Sequence, residues 1–108
     1  MKRVIALLAA TAAVTLAPGA HAADAAAAEA LARNSGCLAC HSVDKKLIGP
    51  GYKEVAAKYR GNKAAEADLV KKVKAGSKGV WGDIPMTPNA HLKDEDIKTI
   101  VQWILSLK

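Results

Sequence analysis

Cys37-Leu38-Ala39-Cys40-His41 is the feature that most constrains this chain. Two thiols three positions apart, followed at once by an imidazole, form the C-x-x-C-H pattern of c-type haem attachment. The spacing has a physical reason. On one helical turn both sulfurs reach the two vinyl groups of one macrocycle edge, and the next residue turns its ring toward the iron. A fold built on this motif must leave room for a large flat group in its centre. Residues 23–108 alone would form only a small core, and short chains of that size commonly need a cofactor, metal or disulfide to stay folded. Phe is absent, and only two Trp and two Tyr are present. The cofactor is therefore expected to fill the middle.

Three other uses of the cysteines fit less well. A thioredoxin-like redox pair calls for a βαβ context, and no alternating strand pattern occurs here. A zinc site needs four ligands, whereas the chain beyond the leader offers Cys37, Cys40, His41 and the distant His91. A disulfide across so short a loop would stabilise little.

The first 22 residues read as a secretory leader. Lys2 and Arg3 precede an apolar run from Val4 to Ala17, Pro18-Gly19 breaks it, and Ala20-His21-Ala22 offers the small residues that a signal peptidase reads. The run is too short for a spanning helix, which takes roughly 18 or more apolar residues. The expected division is a cleaved leader at 1–22 and one domain at 23–108, exported to the periplasm without stable membrane insertion. Cleavage removes Lys2 and Arg3 from a formal charge of +6. The lysines at 45, 46, 53, 58, 63, 71, 72, 74 and 78 are scattered. They do not resemble a nucleic-acid-binding arm. They form a solvated surface, or dock an acidic partner with an effect on association rate.

Periodicity gives an all-α domain. Asp24 to Asn34 is Ala-rich, with Leu31 as its main apolar anchor, and Ser35-Gly36 stops it. Tyr52, Val55, Ala56 and Tyr59 share a helical face. So do Leu69, Val70 and Val73 in a helix from Glu66 to Ala75. Asp94, Glu95 and Asp96 open a last helix, where the macrodipole favours negative charge. Its apolar face is Ile97, Ile100, Val101, Ile104 and Leu105. Gly76 to about Leu92 carries Gly76, Gly79, Gly82, Pro85 and Pro88, so it reads as a long irregular loop, a kind usually kept for function. Met86, the only methionine besides the initiator, sits in that loop between two prolines. A thioether is a soft iron ligand and raises the potential of a His-ligated haem. Met86 is the favoured sixth ligand. His91 is the other candidate, and a core gap-filler is the alternative role for Met86.

These residues resemble a family, the small class I cytochromes c of the bacterial periplasm that serve nitrite reductase and terminal oxidases. The resemblance rests on residues 34–41 (NSGCLACH), 48–56 (IGPGYKEVA) and 79–89 (GVWGDIPMTPN), and it covers essentially all of 23–108. It implies four or five short helices wrapped around one covalent haem c, with the first and last crossing near Gly36 and Trp103. It implies His41 and Met86 as axial ligands. The Pro50 carbonyl would accept a hydrogen bond from His41, the Trp81 indole would reach a propionate, and Asn89 would help hold the Met86 sulfur. Lys72 stands where relatives often carry Arg or His near a propionate, and offers only a point charge there. Ala32 stands where many relatives carry an aromatic, with Trp103 taking more of that packing. The implied function is one-electron transfer by a monomeric carrier that is not itself an enzyme. Its partners would be nitrite reductase, a terminal oxidase, a bc1-type complex or a peroxidase. The alternative is a haem protein with an open sixth position that binds gases or acts as a peroxidase.

Overall fold

The computed structural model describes residues 9–13 and 20–108, so most of the expected leader lies outside the described residues. Four α-helices follow in chain order: α1, Ala20–Asn34; α2, Tyr52–Tyr59; α3, Ala65–Ala75; and α4, Asp94–Ser106, with a 3-10 turn at Cys37–Ala39 between α1 and α2. The helix expected from Asp24 thus begins at Ala20. The reason is local: no breaker lies between Ala20 and Asn34, and alanine is the strongest helix former.

α4 packs against each of the other three helices. Its three acidic residues lie in the first turn, as the macrodipole favours. Its buried face comprises Ile97, Ile100, Val101, Trp103 and Ile104. Trp103 joins the face read from the sequence, and Leu105 lies at its partly buried edge. Trp103 is buried in a cluster to which α1 contributes the small side chains of Ala28 and Ala32.

One expectation about α1 is corrected. The residues it buries fully are Ala28 and Ala32, whereas Leu31 is only partly buried against the core. Trp103 takes part in the crossing of α1 with α4, as expected. Ala28 and Ala32 cluster with Ile100, Trp103 and Ile104, so the methyl-sized face of α1 lets the bulky face of α4 approach.

α3 is fastened to α4 by Gln102, whose amide donates to Glu66 at 3.0 Å. It buries only Ala65 fully, and leaves Leu69 and Val73 half-buried on a face turned to a central cavity. Among the described residues the one β feature is an isolated antiparallel bridge between Ser77 and Met86. The long Gly/Pro loop is therefore a pinned excursion, closed at its neck. No helix among the described residues is long and apolar enough to cross a membrane.

Ile100 is 2 % exposed in the core cluster. Ile100→Ala should lower the unfolding free energy by about 2–5 kcal/mol, read from guanidinium melts of the holoprotein. A loss under about 1 kcal/mol would show that α4 does not anchor the core.

Candidate functional site

The end of α1 leads directly into the motif. Ser35 N–H bonds the Leu31 carbonyl at 2.9 Å, and His41 N–H bonds the Cys37 carbonyl at 3.1 Å, which makes Cys37–His41 one helical turn. Both cysteines are free, Cys37 half-buried and Cys40 exposed. Burial pushes the Cys37 thiol above its ordinary range. No three His, Cys, Asp or Glu side chains converge among the described residues, so the zinc alternative has no ligand set.

The chain then folds back on the motif. Gly49 N–H bonds the Cys40 carbonyl at 2.7 Å, and Tyr52 and Lys53 N–H bond the Ser42 and Val43 carbonyls at 2.8 and 3.0 Å. This return brings the Pro50 carbonyl to 2.8 Å from His41 Nδ1. With Nδ1–H donating to that carbonyl, Nε2 keeps the lone pair that a metal needs. Gly49 is required by contact: a Cβ there would lie 2.6 Å from His41 Cε1.

The Met86 loop is held from its own base. Ser77 N–H bonds the Met86 carbonyl at 3.1 Å, and Met86 N–H bonds the Ser77 carbonyl at 2.8 Å. Gly76 makes the neck possible, with φ +82° and a missing Cβ that would sit 2.8 Å from the Met86 carbonyl. Asn89 secures the far side. Its backbone N–H and side-chain amide both reach the Val73 carbonyl, at 3.0 and 3.2 Å, and the amide also reaches the Thr87 carbonyl at 3.3 Å. The side-chain amide thus donates to carbonyls on both sides, and Asn89 ties the loop to α3.

These segments enclose a cavity of about 390 Å³, lined among others by Cys37, Cys40, His41, Pro50, Lys72, Trp81, Met86 and Asn89. Ile48, Leu69, Val73 and Ile84 make much of its wall apolar. Residues separated by 49 positions thus share one chamber: thiols and an imidazole from one segment, a thioether from another. His91 is exposed and does not line it. Trp81 is 39 % exposed at the rim, with Lys58 Nζ 5.4 Å above its ring. Lys72 also lies at the rim, and its Nζ bonds Asp68 at 2.8 Å. That carboxylate holds the Lys72 ammonium above its ordinary range. The donor set and the apolar walls fit a covalently held haem. A sulfur for each vinyl, an imidazole already oriented, and a thioether on a pinned loop all face one chamber.

The family model "Cytochrome c" matches residues 25–108. The chain belongs to the cytochrome c family. It is 52% identical over 80 residues to cytochrome c-551 of Pseudomonas aeruginosa, covering 74% of this chain and 76% of that one. Identity to cytochrome c-551 of Allochromatium vinosum is 58% over 77 residues, covering 71% and 82%. The crystal structure of wild-type Nitrosomonas europaea cytochrome c552 superposes with a TM-score of 0.72 at 48% identity, covering 74% of this chain and 99% of that one. The fold is accordingly that of the small class I cytochromes c, and the cofactor is one covalent haem c.

Sequence reading overlooked Tyr52 as a site residue. It is 4 % exposed, and its ring stacks on the His41 imidazole at 4.9 Å between centroids and 22° between planes. Burial raises its phenol far above the ordinary range, with the neighbouring Cys37 and Cys40 adding to the rise. Once the cysteines are thioethers, burial alone remains, and the phenol stays neutral.

Gly76→Ala should loosen the loop neck. The side chain meets the Met86 carbonyl and adopts a left-handed φ, a strain of about 1–3 kcal/mol. Amide exchange at Ser77 and Met86 in the ferrous holoprotein should accelerate roughly tenfold or more, as that strain converts to opening. Unchanged protection would show that the neck does not depend on glycine.

Proposed function

We propose that this cytochrome c is an exported one-electron carrier of the bacterial periplasm. In this reading residues 1–22 are a cleaved leader and 23–108 are the working domain. Cys37 and Cys40 hold the haem edge as thioethers, and His41 and Met86 are the axial ligands. When bound, haem c supplies an iron that cycles between Fe(III) and Fe(II). The chain's own residues tune and shield that couple. The single observation that carries the reading is that His41 and Met86 line one apolar chamber, with His41 Nδ1 already committed to the Pro50 carbonyl.

Each residue has a definable task. The hydrogen bond to Pro50 orients the imidazole and raises its basicity as a ligand. The Met86 thioether favours the reduced iron and so a higher potential. Ile48, Leu69, Val73 and Ile84 exclude water, which limits solvent stabilisation of the extra charge on the oxidised centre. Trp81 and Lys72 at the rim serve the propionates, and Asn89 holds the methionine loop to α3. A full coordination sphere leaves no position for a substrate, so the protein transforms none.

Electrons leave through the exposed Cys40 edge. Beside it in the chain, Leu47 is 45% exposed, next to the exposed Lys45 and Lys46. Lys53, Lys72 and Lys74 are paired with Asp44, Asp68 and Asp94, whereas Lys45 and Lys46 make no ion pair among the described residues. The partners are redox proteins with acidic docking surfaces: nitrite reductase, a terminal oxidase, a bc1-type complex or a peroxidase.

Two measurements test this. Met86→Ala should abolish the weak far-red charge-transfer band of Met–Fe(III) ligation in the oxidised holoprotein. Survival of that band would refute the axial assignment and return an open-faced, ligand-binding haem to contention. The second is salt dependence of electron transfer to an acidic partner. The rate should fall several-fold between about 0.01 and 0.15 M ionic strength, as the Debye length shrinks from about 30 to 8 Å. A flat profile would refute lysine steering.

A further inference from the structure

The His41 ring is confined on more than its hydrogen-bonding edge. Pro50 accepts from Nδ1 at 2.8 Å, and the Cα of Gly49 lies so close that a Cβ would come within 2.6 Å of Cε1. A hydrogen bond through one nitrogen leaves the ring free to rock about that bond. The Tyr52 ring removes this freedom by lying nearly parallel to the imidazole, 22° between planes at 4.9 Å. Tyr52 is in turn backed by Trp103 of α4, edge-on at 5.6 Å and 82°. It opens α2, and its own N–H is bonded to the Ser42 carbonyl immediately after His41. One buried ring therefore touches both His41 and the core of α4.

We propose that Tyr52 is a positioning residue that sets the rotational angle of the His41 imidazole about its bond to iron, with Trp103 as its backstop. This rests on His41 being the axial ligand. The angle matters because imidazole and iron π-orbitals overlap in a direction-dependent way. Unpaired spin in the ferric state spreads unequally over the macrocycle according to that angle. The flat face of Tyr52 is the element that acts, and the hydroxyl is secondary. A side chain without a flat face fills the space but does not fix the angle.

The test uses the holoprotein, its Tyr52→Phe and its Tyr52→Leu variants, and proton NMR in both oxidation states. In ferrous wild type, nuclear Overhauser contacts between Tyr52 and His41 ring protons should be present. Their absence would overturn the stacking, whatever the variants do. In the ferric state Tyr52→Phe should keep the order and spread of the four haem methyl shifts. Tyr52→Leu should reorder or compress that pattern while the Met–Fe(III) band persists. An unchanged pattern in Tyr52→Leu would overturn the proposal. So would a pattern changed in Tyr52→Phe, because the flat face is still there; this arm holds even where Tyr52→Leu fails to fold. Loss of the low-spin, six-coordinate spectrum in wild type itself would instead refute the ligation on which the proposal rests.

Discussion

The hydrogen bond from His41 Nδ1 to the Pro50 carbonyl is the contact on which the site depends. It decides which nitrogen keeps its lone pair, and so decides that the ring can bind a metal through Nε2. The carbonyl is where it is because the chain after the motif doubles back, tied by Gly49 to Cys40 and by Tyr52 to Ser42. That return also starts α2, whose first residue lies flat on the imidazole. Imidazole orientation and helix placement are thus one local event, spread over about a dozen residues of sequence.

The opposite wall is built from longer-range pieces. Met86 is brought to the chamber by a loop whose two ends are joined at Ser77 and whose far side is tied to Val73. Because α3 is itself fastened to α4, the position of the thioether depends on the same helix that backs Tyr52. α4 therefore contributes to both faces of the site without supplying a ligand. Its packing on α1 through Ala28 and Ala32 is what holds that frame together.

What could be read from the sequence follows the range of the interactions. Cys37, Cys40 and His41 lie within one short stretch of chain, and their spacing alone names the cofactor. α2 was legible to the residue, because Tyr52, Val55, Ala56 and Tyr59 carry both its period and its burial. The anchor of α1 was misread, since an Ala-rich helix gives no apolar contrast and the larger Leu31 draws the eye. That Ala28 and Ala32 are the buried ones depends on where Trp103 arrives from elsewhere in the chain. The Ser77–Met86 bridge was hidden in a stretch rich in glycine and proline, where local rules only forbid structure. Tyr52 looked like one more core residue; its flat face on His41 is visible only once the 42–51 return is folded. The resemblance implies that Asn89 helps hold the Met86 sulfur; its amide bonds to the Val73 and Thr87 carbonyls are visible only in the folded loop.

On the proposed ligation, Met86 and His41 would hold one haem iron between them in this chamber. The one-dimensional proton NMR spectrum of the ferrous holoprotein tests this. A methionine methyl held over the macrocycle lies in its ring current. A three-proton resonance should then appear far upfield of the protein envelope, and should vanish from the Met86→Ala spectrum. A wild-type ferrous spectrum without that resonance would rule out Met86 as a ligand of the iron.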